Sequence, residues 1–559
     1  MHRIVRASGV QRRGSLRGCM MRRLAVRTGF AASLCLGLGG GPAAPHATVT
    51  QGVLTGTADA AVTVFRGVPF AAPPVGDLRW APPRPPARWG TQPREATSFG
   101  PACTQTLQSK GSGQWTREYM SPEAPGVSED CLFLNIWTPA TLTGTARPPA
   151  NLPVLFWIYG GGFNEGSGAV AVYNGANLAK RGLIVVNVNY RVGSLGFMAH
   201  PELTMEQGGA SGNYGIQDQI AALQWVRDNI KAFGGDAAKV TIAGQSAGAM
   251  SVQALLVSPA AKGLFRGAIV QSAAAPGTNG NYAPRLAAEQ AAVAALERAG
   301  AHSISEARAL PAAQAYRAGG RGGPVADGRI IPIAATPPVF ASDVPVMTGY
   351  TLNDLFVSRN PATAASWRAE VQERYGARAS EFLKFYPGDT DEEAARSAQR
   401  EAVDRGFNLK LVDWVATRGA TSPVFAYLFT HIEPGPESGR YGAFHTSEVP
   451  YEFNTLHLSP GRSFTDVDHR LANQWSLYVA NFTKTGDPNG ASLPKWPAMT
   501  PDNKAIMDLG DRVVASRAVP SGADAVIAAG RPPEGRGRGG RSNPVAPVVP
   551  RIPAAASPR

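Results

Sequence analysis

Hydrophobic positions along this chain follow two alternating patterns. Short apolar and β-branched runs occur at 154–159, 183–190, 240–243, 268–270, 344–347 and 424–429. Runs that are apolar on both faces predict strands of a covered, largely parallel sheet. Between them, Ile216, Ile220, Leu223, Val226, Ile230 and Phe233 recur every three or four residues, which predicts an amphipathic helix. That helix feeds directly into the strand ending at Ala243. Alternation of this kind predicts an α/β fold with helices flanking a central sheet. Segments 283–316, 365–385 and 391–419 are rich in Ala, Glu and Arg and predict helices inserted around a site, as a lid. Nothing in the chain repeats.

The ends have a different character. The chain has 559 residues and a formal net charge of +13. Residues 1–30 hold eight Arg and no acid, and residues 530–559 hold six Arg against Glu534. Together these account for the whole excess, so the globular part is formally neutral and no nucleic-acid surface is expected. Arg22, Arg23 and Arg27 precede the apolar stretch Phe30–Leu38, and small residues follow through Ala47. This is the pattern of an export signal over 1–47. The apolar run is too short for a stable membrane anchor, which needs about 20 residues. A single globular unit is expected over 48–528, followed by a Pro/Gly/Arg-rich disordered tail over 529–559. Cys19 and Cys35 fall in the signal region. Cys103 and Cys131 remain and read as one disulfide of an exported, periplasmic or extracellular protein.

The densest chemistry lies at Gly244-Gln245-Ser246-Ala247-Gly248, between the 239–243 strand and a helix-forming run from Ala247 to Leu256. Gly-x-Ser-x-Gly between strand and helix predicts a nucleophile elbow, with the serine hydroxyl at a helix N-terminus. A serine nucleophile needs a base, and the base an acid, in the chain order Ser, acid, His. Of His302, His431, His445, His457 and His469, order and loop position favour His445 without deciding it. Asp354 is the first carboxylate past the 344–347 strand, and a helix N-cap is its other reading. Tyr159-Gly160-Gly161-Gly162-Phe163 follows a buried strand and predicts an oxyanion loop, with Gly161, Gly162 and Ala247 as N–H donors.

These segments resemble the type B carboxylesterase family, which includes the cholinesterases and many bacterial esterases. The resemblance is carried by Phe65–Trp80, Ser128–Asn135, Tyr159–Phe163, Asn189–Gly193, Gly244–Gly248, Val346–Phe356, His445–Phe453 and Thr485–Asn489. It implies an α/β-hydrolase fold, a mostly parallel sheet flanked by helices with helical segments inserted around the site. It also implies Ser246 as nucleophile, His445 as base and Asp354 as acid. Cys103–Cys131 resembles the family's first disulfide. Arg79 with Glu129, and Arg191 with Asp218, would be structural ion pairs. The implied activity is cleavage of small-molecule carboxylic esters through an acyl-enzyme, with no metal or cofactor. Two positions depart from the family pattern. Asp354 stands where Glu is usual, and Gln245 stands where Glu usually precedes the serine, which weakens a case for cationic choline esters. The alternatives are a silent binding protein of the same fold and an amide or carbamate hydrolase with the same triad. The natural ester and the oligomeric state are not readable from the chain.

Overall fold

A computed structural model of the protein describes residues 44–530, apart from 60, 108–121, 140–150, 274–281, 321, 334–339, 355–361, 420 and 460. The expected tail lies outside these residues but for 529 and 530. So does all of the signal region except 44–47, and strand His46–Val49 already begins there.

One sheet of eleven strands organises the fold. In chain order they are β1 (Thr57–Asp59), β2 (Val62–Pro69), β3 (Phe133–Pro139), β4 (Leu152–Ile158), β5 (Ile184–Val188), β6 (Gly235–Gln245), β7 (Gly267–Gln271), β8 (Val346–Thr351), β9 (Val424–Phe429), β10 (Ala505–Leu509) and β11 (Val513–Arg517). Their spatial order is β11-β10-β9-β8-β7-β6-β4-β5-β3-β2-β1. Pairing is parallel from β10 through β5. The flanks, β10 with β11 and β5 through β1, are antiparallel. The six expected strands are β4 to β9, at the centre. Strand β8 starts at Val346 and not at Val344, because Pro345 has no N–H to give the ladder.

Helix α1 (Tyr214–Asn229) buries Ile216, Ile220, Leu223 and Val226, and one 3₁₀ turn closed by Gly234 leads from it into β6. Helix α2 (Ala247–Val257) leaves the end of β6 directly. Later come the single turn α3 (Val449–Glu452) and the long α4 (Asp466–Thr485). The three inserted segments are helical but broken. Residues 283–316 divide near Gly300 and Pro311, residues 365–385 break at Gly376, and residues 391–419 carry a π-helical turn at Asp404–Asn408. The main core packs on both faces of β4–β9. A second apolar cluster, including Trp80, Leu203, Tyr214, Leu296 and Ile304, joins the 285–318 helices to the body.

Parallel strands put their carboxyl ends on one edge of the sheet, where α/β folds gather functional loops. Here the ends of β6, β7, β8 and β9 lie side by side. Beyond them, Asn353 pairs in parallel with Phe444, so the loops after β8 and β9 are tied together.

Candidate active site

Ser246 occupies the turn between β6 and α2 with φ 57° and ψ −123°. An L-residue at positive φ stores about 1–3 kcal/mol of strain, held only if its surroundings leave no alternative. Here they leave none. Ser246 N–H donates to Gln271 O at 2.8 Å, and its carbonyl accepts the Met250 N–H at 2.9 Å. A Cβ at Gly248 would stand 2.0 Å from Ile158 O, and one at Gly244 would stand 2.6 Å from Gly248 C. Only glycines let the strand, the turn and the start of α2 close on one another. The hydroxyl therefore sits at a helix N-terminus, whose N–H groups favour negative charge.

The glycine loop leaves β4 beside this turn. Gly161, Gly162 and Phe163 all have positive φ, 111°, 61° and 63°. The preceding Tyr159 stacks on Tyr190 with centroids 4.4 Å apart. Each tyrosine hydroxyl donates to the other's carbonyl, at 3.0 and 2.9 Å, so the stem of the loop is clamped. Beyond the glycines, Phe163 O accepts from Gly193 N at 2.6 Å. Tyr316 donates to Asn164 O at 2.8 Å. Among the described residues the N–H groups of Gly161, Gly162 and Ala247 have no protein acceptor.

His445 and Asp354 meet at this edge. Asp354 Oδ1 lies 2.5 Å from His445 Nδ1. The shorter acid reaches because the two loops are laced together. Asn353 N–H donates to Ala443 O at 2.9 Å, and Ala443 N–H to Asn353 Oδ1 at 2.8 Å. The amide nitrogen of Gln245 stands 3.2 Å from His445 Nε2 and 3.4 Å from Nδ1. A nitrogen that close to both ring nitrogens would collide with Cε1 if it lay in the ring plane, so the amide sits over the ring face. The imidazole thus packs against the residue preceding Ser246. No hydrogen bond joins the Ser246 hydroxyl to the ring here, and such contacts commonly tighten only when substrate binds. Burial disfavours the imidazolium, but the Asp354 charge and its hydrogen bond outweigh that, and His445 holds its proton above the ordinary histidine range. Its side chain keeps 18 % exposure, an opening toward solvent.

Two carboxyls behind the ring escaped the sequence reading. Glu448 and Glu452 are fully buried on α3 and its cap. Burial pushes Glu448 up to about 8, with Asp354 adding to it. Burial likewise pushes Glu452 up to about 8, and Gln271 pulls slightly the other way. Burial thus favours the neutral form of both carboxyls, and Glu448 lies close enough to His445 to act on its charge. Their only sequence signal is spacing from His445, which gives no sign of burial.

Other expected residues lie outside this cluster. Arg79 forks onto Glu129 at 2.7 and 2.6 Å and also donates to Arg308 O and Leu310 O, bracing the 285–318 insertion. Arg191 grips Asp218 at 2.9 and 2.8 Å in the interior, beside the Tyr214 ring. Cys103 and Cys131 are joined in a disulfide, worth about 3–4 kcal/mol by chain entropy. Among the described residues no His/Cys/Asp/Glu group could hold a metal ion, and no helix is long and apolar enough to cross a membrane.

A strained serine at a helix start, a histidine–carboxylate pair against it and unpaired loop amides nearby form a constellation suited to acyl transfer. Comparison with known proteins shows the family. Residues 43–522 match the carboxylesterase family. The chain is 36% identical to a fumonisin B1 esterase of Sphingopyxis macrogoltabida, over 81% of this chain and 84% of that protein. It is 32% identical to the para-nitrobenzyl esterase of Bacillus subtilis, over 83% and 95% of the two chains. A solved structure of a PNB esterase superposes with TM-score 0.70 at 30% identity, covering 87% of this chain and 99% of that one. The chain therefore belongs to the type B carboxylesterase family and is a carboxylic ester hydrolase with the α/β-hydrolase fold.

Proposed function

We propose that this esterase works through a Ser246–His445–Asp354 triad and an acyl-enzyme. His445 takes the Ser246 proton as the oxygen attacks the ester carbonyl. The amides of Gly161, Gly162 and Ala247 receive the oxyanion. His445 then protonates the leaving alcohol. Water, deprotonated by the same ring, attacks the acyl-enzyme, and Ser246 regains its proton as the acid departs. Asp354 holds the ring's orientation and stabilises the imidazolium. The observation that carries this reading is the packing of an Asp354-bonded imidazole against the residue that precedes a strained serine.

Export to a periplasmic or extracellular space is supported by the Arg-then-apolar pattern before Ala47 and by the disulfide, a bond favoured in oxidising compartments. A neutral amide at Gln245, over the imidazole, supports uncharged esters over cationic ones.

The decisive experiment is Ser246→Ala assayed on short p-nitrophenyl esters, with fluorophosphonate labelling of the parent. The parent is expected to label and the variant neither to label nor to turn over. Ester hydrolysis by a folded Ser246→Ala protein would end the proposal.

A further inference from the structure

An oxyanion hole built from loop amides works only if those amides are held still. Gly166, four residues beyond Gly162, has φ +122°, and a Cβ there would stand 2.3 Å from the Tyr159 ring. A side chain cannot anchor this position, so only its backbone is available for fastening. Gln105 supplies the fastening. Gly166 N–H donates to Gln105 Oε1 at 2.8 Å, and Gln105 Nε2 donates back to Gly166 O at 2.8 Å. The second Nε2 hydrogen goes to Cys103 O at 2.9 Å. The carboxamide thus imitates a strand pairing with one loop residue. Its orientation is unambiguous, because exchanging O and N would set a donor against an N–H and an acceptor against two carbonyls.

Both ends of this link are stiff. Gln105 is buried and follows the short strand Ala102–Cys103, which pairs with Val127–Ser128 and is covalently tied through Cys103 to Cys131. Thr104 N–H donates to Ser128 O at 3.1 Å. On the loop side, Gly161 O accepts from Asn164 N at 3.0 Å and Glu165 N at 3.2 Å. Glu165 O lies 2.1 Å from where a Gly161 Cβ would be. Gly161 is therefore in backbone contact with the residue joined to Gly166, and a shift at 166 has no slack to absorb it.

We propose, resting on the oxyanion reading of the site, that Gln105 is the positioning residue of the glycine loop. Its carboxamide holds Gly166 so that the Gly161 and Gly162 amides stay aimed at the reacting carbonyl oxygen. It touches no substrate. Its effect falls on the transition state, where oxyanion donors act, and not on ester binding.

The test uses Gln105→Met, similar in length but unable to pair, in the full disulfide-bonded chain. Expected is a kcat for p-nitrophenyl butyrate lowered about 10- to 100-fold with KM within about twofold. Affinity for a trifluoromethyl ketone, which traps Ser246 as a hemiketal oxyanion, should fall by the same factor. The matching non-fluorinated ketone should bind as before. A folded variant with unchanged kcat, or one in which only KM moves, overturns the inference. Residue-resolved hydrogen exchange of the parent is a second measurement that needs no variant. The Gly166 amide should exchange at least 100-fold more slowly than that of Gly162, and equal rates overturn the inference too. Failure of the triad reading is distinguishable, since it would appear as a parent whose turnover survives Ser246→Ala.

Discussion

His431 and His445 both follow β9, and each meets aspartate at hydrogen-bond distance. His431 Nδ1 lies 2.7 Å from Asp511 and Nε2 lies 2.8 Å from Asp468. Both nitrogens of that ring are occupied by carboxylate oxygens. Burial would raise the Asp468 carboxyl, but hydrogen bonds from Tyr451, Thr465 and His431 hold it at about 2. The result is a brace. It joins the end of β9 to α3 through Tyr451, to the start of α4 through Asp468, and to the turn between β10 and β11 through Asp511. His445 differs in one respect. Asp354 takes its Nδ1, while the contact at Nε2 is a primary amide over the ring, which leaves the in-plane lone pair for a proton in flight. A histidine–aspartate contact alone therefore does not mark a base. In the proposed mechanism the mark is an unclaimed second nitrogen beside the nucleophile.

Exchanging the fates of these two rings is the strongest way to break the comparison. His445→Ala should lower kcat/KM roughly 10⁴-fold or more, with little change in thermal midpoint. His431→Ala should keep kcat within about threefold and cost about 2–3 kcal/mol of stability in chemical denaturation, the scale of a buried polar network losing a member. If the folded His431 variant is the dead one, the roles are reversed.

Asp354→Asn sharpens the same contrast at smaller amplitude. The neutral amide should lower kcat by roughly 10³–10⁴. It should also move the acid limb of the pH profile. The base works only when neutral, so a raised His445 places that limb above the ordinary histidine value, with activity rising as pH rises through it. Without the Asp354 charge the limb should shift to lower pH. A limb that stays in place would show that Asp354 does not set the ring's proton affinity.

The last contrast is read in stability and concerns the buried carboxyls Glu448 and Glu452. Glu448 and Glu452 hold protons in the folded protein up to about 8, whereas an unfolded glutamate ionises near 4.5. Their contribution to stability is complete below that lower value and is lost as pH climbs toward 8. Glu452→Gln should match the parent at pH 5 and be the more stable of the two at pH 9. Every tenfold weakening of a carboxylic acid on folding corresponds to roughly 1.4 kcal/mol, so urea midpoints at the two pH values would separate the two proteins. A variant that loses ground at high pH contradicts this protonation state.

The part of the fold that was legible in the sequence was the part made of continuous apolar runs. Strands β4–β9 and the face of α1 need no distant partner to explain them. Strands β2 and β3 were not legible, because Arg66 and Gly67 interrupt one and Asn135 the other. Their polar groups are satisfied across the fold, as when Gly67 N–H donates to Asn135 Oδ1 at 3.0 Å. The site divides similarly. Ser246 and the three glycines stand in short motifs, and Asp354 and His445 could be placed by order past a strand, with the family resemblance choosing His445 over His431. Gln105 makes its contacts far along the chain and Glu452 is buried by distant packing, and nothing in their immediate neighbours announces them, whereas Gln245 stands inside the elbow motif and only its contact with His445 was hidden.

The order of the parallel strands has a consequence for a polypeptide still being synthesised. Gly161, Gly162 and Ser246 belong to the ends of β4 and β6, whereas Asp354 and His445 hang from β8 and β9, much later in the chain. Under the proposed mechanism, a nascent molecule would carry its serine and glycine loop before Asp354 and His445 have been synthesised. Its serine would then be no better a nucleophile than free alcohol, so under that mechanism ester cleavage would switch on only when the last parallel strands dock, and an incomplete chain would stay chemically quiet.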